Sequence, residues 1–447
     1  MNPELSATLR SALTDAAAGA LCVAFSGGPD STALLHALAQ LPETRQRGLR
    51  ALHVDHGLHA DSTDWAKRCA DLCESLGVPL TTIRVQVDHA RGEGIEAAAR
   101  RARYAAFAEN LEAGEWLVLG HHRDDQVETV LLKLLRGAGP EGLGGMRALR
   151  PFARGLLWRP LLETPRESLL KYLSENQLAC IDDPANTDPR FARNVLRREI
   201  LPRIEAHWPH ADASILHSAR LCRTAADYIE SAAQNALANL RRDADTLDVT
   251  GWLALPEALR APVLDAWLHV HGFSAPPDAS RTELAKQAAD ASEDSTPLIA
   301  WPGTEVRIWD GRLHAMPPLA LPPADWQAQW DGAPLTLPSD YGELRLEPTD
   351  PESTHAANAS FDPPLTVRFR RGGEQIKPAG DPHTRELRDL FQQARVPPWL
   401  RVRCPLIYEN DELIAVADLW ISGRGKALFD GQSARPHWTR SAYCRLG

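Results

Sequence analysis

Hydrophobic and polar positions follow two alternating periods in the first half of the chain. Short apolar runs bounded by polar residues predict buried strands over residues 21–25, 49–56, 80–87 and 116–120. The segments after them have helical spacing and predict helices over about 32–41, 62–76, 94–112 and 123–136. Because strands alternate with helices of this length, the pattern predicts βαβ units and a doubly wound, Rossmann-like parallel sheet.

The remainder of the chain predicts two further domains. An Ala- and Leu-rich stretch over about 215–291 has helical spacing, whereas residues 316–364 are dense in Pro, Asp and Ser, which indicates a linker or a loosely ordered surface region. Short strand-like runs around one helix then predict a small α+β module. We therefore predict an α/β protein with an N-terminal domain over 1–213, a helical middle domain over 214–320, a linker over 321–363 and a C-terminal domain over 364–447.

Composition agrees with a soluble protein of several domains. The 447 residues are 44% hydrophobic and 24% charged, which is ordinary for globular domains. The first residues lack the basic and apolar regions of a secretory signal, and no uncharged apolar run reaches about 18 residues. We therefore expect a cytoplasmic protein without membrane contact. The seven cysteines are scattered and never spaced C-x-x-C, which argues against a disulfide framework or a structural zinc site.

Charge is unevenly distributed along the chain. The net charge is -10, yet residues 368–403 contain nine basic and four acidic residues, whereas residues 226–300 contain five basic and twelve acidic residues. A basic module can bind a polyanion even when the whole chain is acidic. The C-terminal domain is therefore the candidate for contact with nucleic acid.

The segment SGGPDS at residues 26–31, here called the SGGPDS loop, joins the first predicted strand to a helix. A strand, a Gly-Gly turn and a helix start direct backbone N–H groups and the helix dipole at one point, which is typical of a phosphate site. No Lys follows the glycines, so the loop is not a P-loop. Asp30 beside an anion implies a divalent cation between them. The alternative is a capped turn, with Asp30 and Ser31 as the caps.

A second polar segment, GHHRDDQVET at residues 120–129, follows the fourth predicted strand. His121, Asp125 and Glu128 share one helical face there, and Asp124 lies one turn before Glu128. Carboxylates and a histidine at the carboxyl end of a strand indicate metal binding and acid–base chemistry. The alternative is a helix start enriched in acidic residues that complement the dipole, which explains Asp124 and Asp125 but not His121.

Two further segments carry weaker signals. The exit of the second strand, at His53 and Val54, is where a doubly wound fold presents adenine or ribose to the protein backbone. Arg197, one turn after Asn194, can neutralise phosphate charge in a transition state. Taken alone, the segment around Arg197 is better explained as a solvated helix face.

These segments together resemble the N-type ATP pyrophosphatase (PP-loop) group, whose loop reads Ser-Gly-Gly-x-Asp-Ser and whose members adenylate a substrate and release pyrophosphate. More narrowly, nearly the whole chain resembles the tRNA(Ile)-lysidine synthetase family. The segments that carry the resemblance are SGGPDS (26–31), LHVDHGLH (52–59), EAAARRARY (96–104), GHHRDDQVET (120–129), WRPLLETPRESL (158–169), DDPANTDPRFARNVLRREILP (182–202), FRRGGEQIKPAG (369–380) and LRDLFQQARVPPWLRVRCPLIY (387–408). Ala185 and His59 depart from the family, which frequently has Ser and Arg at these positions.

The resemblance implies a two-step ligation. ATP activates C2 of the wobble cytidine in the CAU anticodon of a minor isoleucine tRNA, and the ε-amine of free L-lysine then displaces AMP. It implies Mg²⁺ held by Asp30 and Asp125, phosphate charge steadied by Arg197 and Arg100, and a lysine amine oriented or deprotonated by either His121 or Glu128. The implied ATP site consists of Ser26, Gly27, Gly28, Pro29, Asp30, Ser31, His53, Val54 and Arg100; the implied catalytic residues are Asp30, His121, Asp125, Glu128 and Arg197.

The resemblance also gives the basic C-terminal domain a function, which is to bind the tRNA. Phe391 and Trp399 either stack on its bases or form the core of the module. The sequence leaves open whether the protein forms a homodimer. The basic residues implied in tRNA binding are Arg368, Arg370, Arg371, Lys377, Arg385 and Arg388.

Two other classes of protein share parts of this pattern. A tRNA thiolase of the same ATP-binding group would need paired cysteines to carry sulfur, and relatives that form GMP, NAD or argininosuccinate have no use for a basic C-terminal module. A non-catalytic tRNA-binding protein would be expected to have lost Asp30, Asp125 or Glu128. All three residues are present, which favours the enzyme.

Overall fold

The fold was analysed in a computed structural model, which describes residues 3–14, 19–57, 61–87, 95–182, 184, 191–240, 245–291, 295–349 and 360–440. The two family departures, at positions 59 and 185, lie outside these residues, as does part of the predicted linker, 350–359. The chain divides into two compact units, Met1–Tyr228 and Ile229–Gly447. Within the described residues, no helix combines the length and the apolar character needed to cross a membrane.

The first unit is built on a six-stranded sheet of order β3-β2-β1-β4-β6-β5. Its strands are β1 (Leu21–Ala24), β2 (Leu49–Asp55), β3 (Leu80–Arg84), β4 (Trp116–Val118), β5 (Leu149–Phe152) and β6 (Gly155–Trp158). Every pairing is parallel except that of β5 with β6. The predicted doubly wound parallel sheet is therefore confirmed, and an antiparallel β5–β6 hairpin is added at one edge.

Helices make up the rest of this unit, and the last of them, Ala211–Leu240, continues past the unit boundary at Tyr228. They are α1 (Pro3–Thr14), α2 (Pro29–Ala39), α3 (Pro42–Arg47), α4 (Ser62–Ser75), α5 (Ile95–Asn110), α6 (Arg123–Leu134), α7 (Pro140–Leu143), α8 (Arg166–Glu175), α9 (Ala192–Val195), α10 (Leu201–His207) and α11 (Ala211–Leu240), with one π-helical turn at Leu196–Ile200. Leu34, Leu35 and Leu38 of α2 are fully buried, so the predicted apolar face packs on the core. This packing fixes the start of α2 at the end of β1.

In the second unit, the middle region combines helices with an antiparallel sheet, whereas the domain predicted over 214–320 was helical. The helices are α12 (Val249–Ala254), α13 (Glu257–Val270) and α14 (Asp278–Asp290). They lie beside a four-stranded antiparallel sheet of order β7-β10-β9-β8, made of β7 (Thr246–Asp248), β8 (Leu298–Trp301), β9 (Thr304–Trp309) and β10 (Arg312–Met316). Trp252 and Trp267 are buried between the helices and this sheet.

The C-terminal region is a small, strand-rich fold that includes the described part of the predicted linker. The strands are β11 (Gln327–Trp330), β12 (Leu335–Thr336), β13 (Glu343–Pro348), β14 (Leu365–Arg368), β15 (Gln375–Ile376), β16 (Arg385–Glu386), β17 (Leu406–Glu409), β18 (Glu412–Val416), β19 (Trp420–Ile421) and β20 (Ala434–Thr439). A short 3₁₀ turn, Pro338–Asp340, precedes β13, and the helices are α15 (Leu387–Gln393), α16 (Pro398–Arg401) and α17 (Gly423–Gly431). Strand β11 pairs with β14 and β13 pairs with β20, so these segments belong to the C-terminal sheets and are not a linker.

Candidate active site

The SGGPDS loop turns the chain sharply between β1 and α2. Gly27 has a positive φ of 78°, which glycine adopts without the steric penalty of a side chain. Pro29 begins α2, where its missing N–H is not needed. The Gly28 carbonyl accepts the Thr32 N–H at 3.0 Å, and the Thr32 hydroxyl donates to the Gly27 carbonyl at 3.1 Å. The loop is thus held by its own helix.

The two serines of the SGGPDS loop lie side by side at the start of α2. Their hydroxyl oxygens are 3.1 Å apart, the Gly28 N–H donates to the Ser26 oxygen at 3.3 Å, and the Ser31 hydroxyl donates to the Gly28 carbonyl at 3.1 Å. Hydroxyls and backbone N–H groups at the N-terminus of an 11-residue helix favour an anion. The geometry therefore fits the predicted phosphate site.

The exit of β4 lies against this loop because β1 and β4 are parallel neighbours. A Cβ atom at Gly120 would lie 3.1 Å from the backbone carbonyl carbon and oxygen of Asp30 and 3.2 Å from the Ser31 nitrogen. A side chain at this position would crowd the backbone of α2, which glycine avoids. Gly120 therefore brings the GHHRDDQVET segment to the start of α2, as the ligand edge of a doubly wound sheet requires.

His122, which the sequence analysis did not single out, is the centre of this cluster. Its imidazole is fully buried. Nε2 lies 3.6 Å from Oδ2 of Asp30 and 3.4 Å from Oδ2 of Asp125, and Nδ1 lies 3.5 Å from Oδ2 of Asp124. Burial lowers the pKa of His122, but the three carboxylates raise it more, to about 9. The imidazole is therefore a cation that draws carboxylates from two strand exits together.

A local signal for His122 was present in the sequence. His122 is the N-cap of α6, and its backbone N–H donates to Oδ2 of Asp125 at 3.1 Å. A polar residue followed three positions later by an acid is the spacing of a capping box. Helical spacing counted from His121 does not show that His122 is the cap of α6 or that Asp125 is its capping partner.

The donor set fits Mg²⁺. Oδ1 of Asp30 is buried and has no hydrogen-bond donor among the described residues, although Nε of Arg166 lies 4.0 Å away. The described residues contain no group of three or more side chains with metal-binding spacing. Mg²⁺ is usually bound in nucleotide sites by one or two carboxylates together with phosphate oxygens and water. Two carboxylates beside an anion loop match that arrangement.

Glu128, which is buried, and Arg197, which is half-buried, form an ion pair behind these carboxylates. Nε of Arg197 donates to Oε1 of Glu128 at 2.6 Å, and its Nη2 donates to Oδ1 of Asp125 at 3.3 Å. Nε of Arg193 lies 3.4 Å from Oε2 of Glu128, which is fully buried. Burial raises the pKa of Glu128, and Arg197 opposes that rise. Arg197 therefore connects Asp125 and Glu128, although it lies 69 positions after Glu128 in the sequence.

The remaining predicted ATP-site residues lie around the second strand and α5. His53 is buried and its Nδ1 lies 2.9 Å from the Phe25 carbonyl, so its ring joins the exits of β1 and β2. Val54 is half-buried. Arg100 is exposed on α5, with its guanidinium 4.8 Å from the centre of the Tyr104 ring.

The six predicted tRNA-binding residues of the second unit differ in exposure. Arg371, Lys377, Arg385 and Arg388 are exposed, whereas Arg368 and Arg370 are half-buried. The Arg368 guanidinium stacks 3.9 Å from the centre of the Tyr408 ring, and Nε of Arg370 lies 3.4 Å from Oε2 of Glu374.

Other residues of the same basic stretch belong to the core. Phe391 and Trp399 are buried, which favours the core interpretation over stacking on bases. Arg403, counted among the basic residues of this stretch, is also buried and donates to the carbonyl groups of Leu319, Ala320 and Trp399. The basic surface is therefore smaller than the charge count indicated.

Comparisons with known proteins agree along the whole chain. Three family models match: the PP-loop domain over residues 1–204, the TilS substrate binding domain over 247–314 and the TilS substrate C-terminal domain over 365–438. A tRNA(Ile)-lysidine synthase from Xanthomonas campestris pv. campestris is 42% identical over 94% of this chain and 95% of that protein. Proteins of the same name from Coxiella burnetii and Methylococcus capsulatus are 38% and 37% identical over 88% and 93% of this chain, and over 88% and 95% of their own lengths.

Proposed function

This chain belongs to the tRNA(Ile)-lysidine synthase family, and on that premise we propose how its residues carry out the reaction. The protein is a ligase that uses ATP to form lysidine on tRNA(Ile). The target is the wobble cytidine of a CAU anticodon. Its O2 attacks the α-phosphorus of ATP and pyrophosphate leaves; the ε-amine of free lysine then attacks C2, and AMP leaves.

The observation that carries this proposal is the meeting of the SGGPDS loop with two carboxylates from separate strand exits. The loop offers N–H and hydroxyl donors to the pyrophosphate. Asp30 and Asp125 would hold Mg²⁺, which when bound neutralises charge on the phosphates. His122 keeps both carboxylates at one point. The same arrangement argues against a merely capped turn, because Oδ1 of Asp30 is left without a donor among the described residues.

We assign Glu128 to positioning and not to proton transfer. Its two oxygens already face the guanidinium groups of Arg197 and Arg193, so neither is left for a substrate amine. Arg197 in turn is aligned beside Asp125, where a guanidinium steadies phosphate charge during adenylation. His121 is half-buried at the β4 exit and remains the candidate for contact with lysine.

The direct test is incubation of the protein with ATP, Mg²⁺, labelled lysine and a CAU-anticodon isoleucine tRNA. We expect label in the tRNA together with AMP and pyrophosphate in equal amounts. The matched control is the same tRNA with uridine at the wobble position, which should accept no lysine. Absence of label from a tRNA that binds the protein would contradict the proposal.

We further propose that catalysis belongs to the domain over 1–213 and that the C-terminal fold, which begins at β11 and includes the predicted domain over 364–447, binds the tRNA body. Exposed cations of the C-terminal region support this assignment, because phosphate contacts supply most non-specific affinity for nucleic acid. Lys377 also lines a groove of about 470 Å³ together with Arg424 of α17.

Replacing Arg371, Lys377 and Arg388 together with Gln is expected to weaken tRNA binding about tenfold or more at physiological salt. Three lost phosphate contacts should also reduce the slope of log Kd against log salt by about 2 to 3. Filter binding over a salt series measures both quantities. Arg345→Gln is the control, because Arg345 is an exposed cation of the same unit paired with Glu347. An unchanged salt slope in the triple variant would show that the tRNA phosphates do not contact these three residues.

A further inference from the structure

Arg159 is a buried cation that has no acidic partner in the part of the chain that the structure describes. It directly follows β6 and is only 5% exposed. Its Nε donates to Nδ1 of His121 at 3.3 Å and its Nη1 donates to the Arg147 carbonyl at 2.8 Å. No carboxylate of the described residues lies within 4.0 Å of its guanidinium. Its two hydrogen bonds with described residues are therefore both to neutral groups.

The wider surroundings of Arg159 do not supply the missing negative charge. Burial lowers the pKa of Arg159, the Tyr104 hydroxyl raises it, and the cations Arg150 and Arg100 lower it further. A buried charge is ordinarily paired, because its removal from water is not otherwise compensated. The site is thus electrostatically incomplete until an anion binds.

Arg159 retains donors for such an anion. A guanidinium has five N–H donors, of which two have acceptors among the described residues, in His121 and Arg147. Because Arg159 donates to Nδ1 of His121, the proton of the neutral imidazole is on Nε2. Burial lowers the pKa of His121, Asp125 raises it, and nearby arginines lower it, so the ring stays neutral. Arg159 and His121 are in contact, and both therefore have N–H donors available to one bound anion.

Arg159 and His121 lie beside the proposed adenylation site. Strands β4 and β6 are parallel with Val118 opposite Trp158, and the Leu119 N–H donates to the Trp158 carbonyl at 2.9 Å. Arg159 therefore leaves the sheet at the same edge as the segment that holds His121 and Asp125. An anion on Arg159 would be a neighbour of the nucleotide without occupying the SGGPDS loop.

We propose that Arg159 and the Nε2–H of His121 bind the α-carboxylate of free lysine. This inference rests on the proposed function. A planar carboxylate matches the remaining donors of a guanidinium. ATP has its own phosphate site in the loop, and an RNA phosphate, which brings its chain with it, suits exposed cations such as Arg100 better than one that is 5% exposed. Anchoring one end of lysine leaves its ε-amine free to attack the activated cytidine.

The test compares lysine with L-lysinamide, in which an uncharged amide replaces the carboxylate. In the wild type we expect the KM for lysinamide to exceed that for lysine about 30-fold. Arg159→Gln should raise the KM for lysine about 30-fold, leave that for lysinamide within about threefold, and leave pyrophosphate release in the absence of lysine within about twofold. The control Arg150→Gln removes a neighbouring cation and should retain the preference for lysine.

Three outcomes would overturn the inference. A wild-type enzyme that uses lysine and lysinamide with equal KM has no carboxylate site, whatever the variants do. An unchanged KM for lysine in a folded Arg159→Gln, with slower pyrophosphate release, would assign the guanidinium to an ATP phosphate. Weaker tRNA binding with an unchanged KM for lysine would assign it to an RNA phosphate. If the wild type attaches no lysine at all, the proposed function itself fails, which is a separate result.

Discussion

Asp30→Asn is expected to slow tRNA-dependent release of pyrophosphate by about 1,000-fold, or about 4 kcal/mol in the activation free energy. The substitution keeps the size of the side chain but removes the charge that faces both the proposed metal and His122, whose Nε2 lies 3.6 Å from it. Labelled pyrophosphate, measured with saturating tRNA and without lysine, reports this step alone. Because Asp30 is far in sequence from the basic C-terminal domain, tRNA affinity should not change.

Asp124→Asn is the matched control for Asp30→Asn. Asp124 also faces His122, at 3.5 Å, and its Oδ2 accepts the Arg166 N–H at 3.0 Å, but we do not propose it as a metal ligand. We expect its rate to stay within about tenfold of the wild type. Equal losses in the two variants would mean that Asp30 only balances the charge of His122. If Asp30→Asn lowers stability but not rate, the capped-turn interpretation is correct.

The sheet and its functional edge could be predicted because the relevant signals are local. Apolar runs and helical spacing determine which segments form strands and helices, and polar residues directly after β1 and β4 mark the ligand edge. The Glu128–Arg197 pair could not be predicted in this way, because the two residues meet only through the tertiary fold. The family resemblance implied phosphate charge for Arg197 and the lysine amine for either His121 or Glu128, and it did not indicate that Arg197 and Glu128 are partners.

The Pro- and Asp-rich composition of residues 321–363 led to a wrong prediction of a linker. The segment before β14 is rich in Pro and Asp, yet Trp330, Tyr341 and Leu344 are buried in the core of the C-terminal sheets. Because these buried residues are far apart in the sequence, they form no apolar run, and the average composition of the segment does not reveal them. The count of basic residues overestimated the basic surface at Arg403. The guanidinium of Arg403 counts as basic, but it donates to three backbone carbonyls and is not on the surface.

Gly27→Ala is expected to lower the free energy of unfolding by about 2 to 4 kcal/mol and to weaken ATP binding at least tenfold. A φ of 78° costs an alanine about 1 kcal/mol relative to glycine. Its Cβ would also lie 2.4 Å from Cδ1 of Ile181 and 2.8 Å from Sγ of Cys69, and such overpacking costs about 1 to 3 kcal/mol. Urea unfolding and calorimetric titration with ATP measure the two effects.

Gly114→Ala and a double variant separate backbone strain from packing in this prediction. Gly114 has nearly the same φ, 77°, but no atom within 4 Å of its Cβ position, so alanine there should cost only about 1 kcal/mol. The double variant Gly27→Ala/Ile181→Ala removes the Ile181 atoms that the new Cβ would approach. It should therefore restore part of the ATP affinity. The Ile181 N–H donates to the Gly27 carbonyl at 2.8 Å, so displacement of Ile181 changes the loop directly. Equal costs at Gly27 and Gly114 would show that backbone conformation alone, and not the packing of Ile181, determines the shape of the SGGPDS loop.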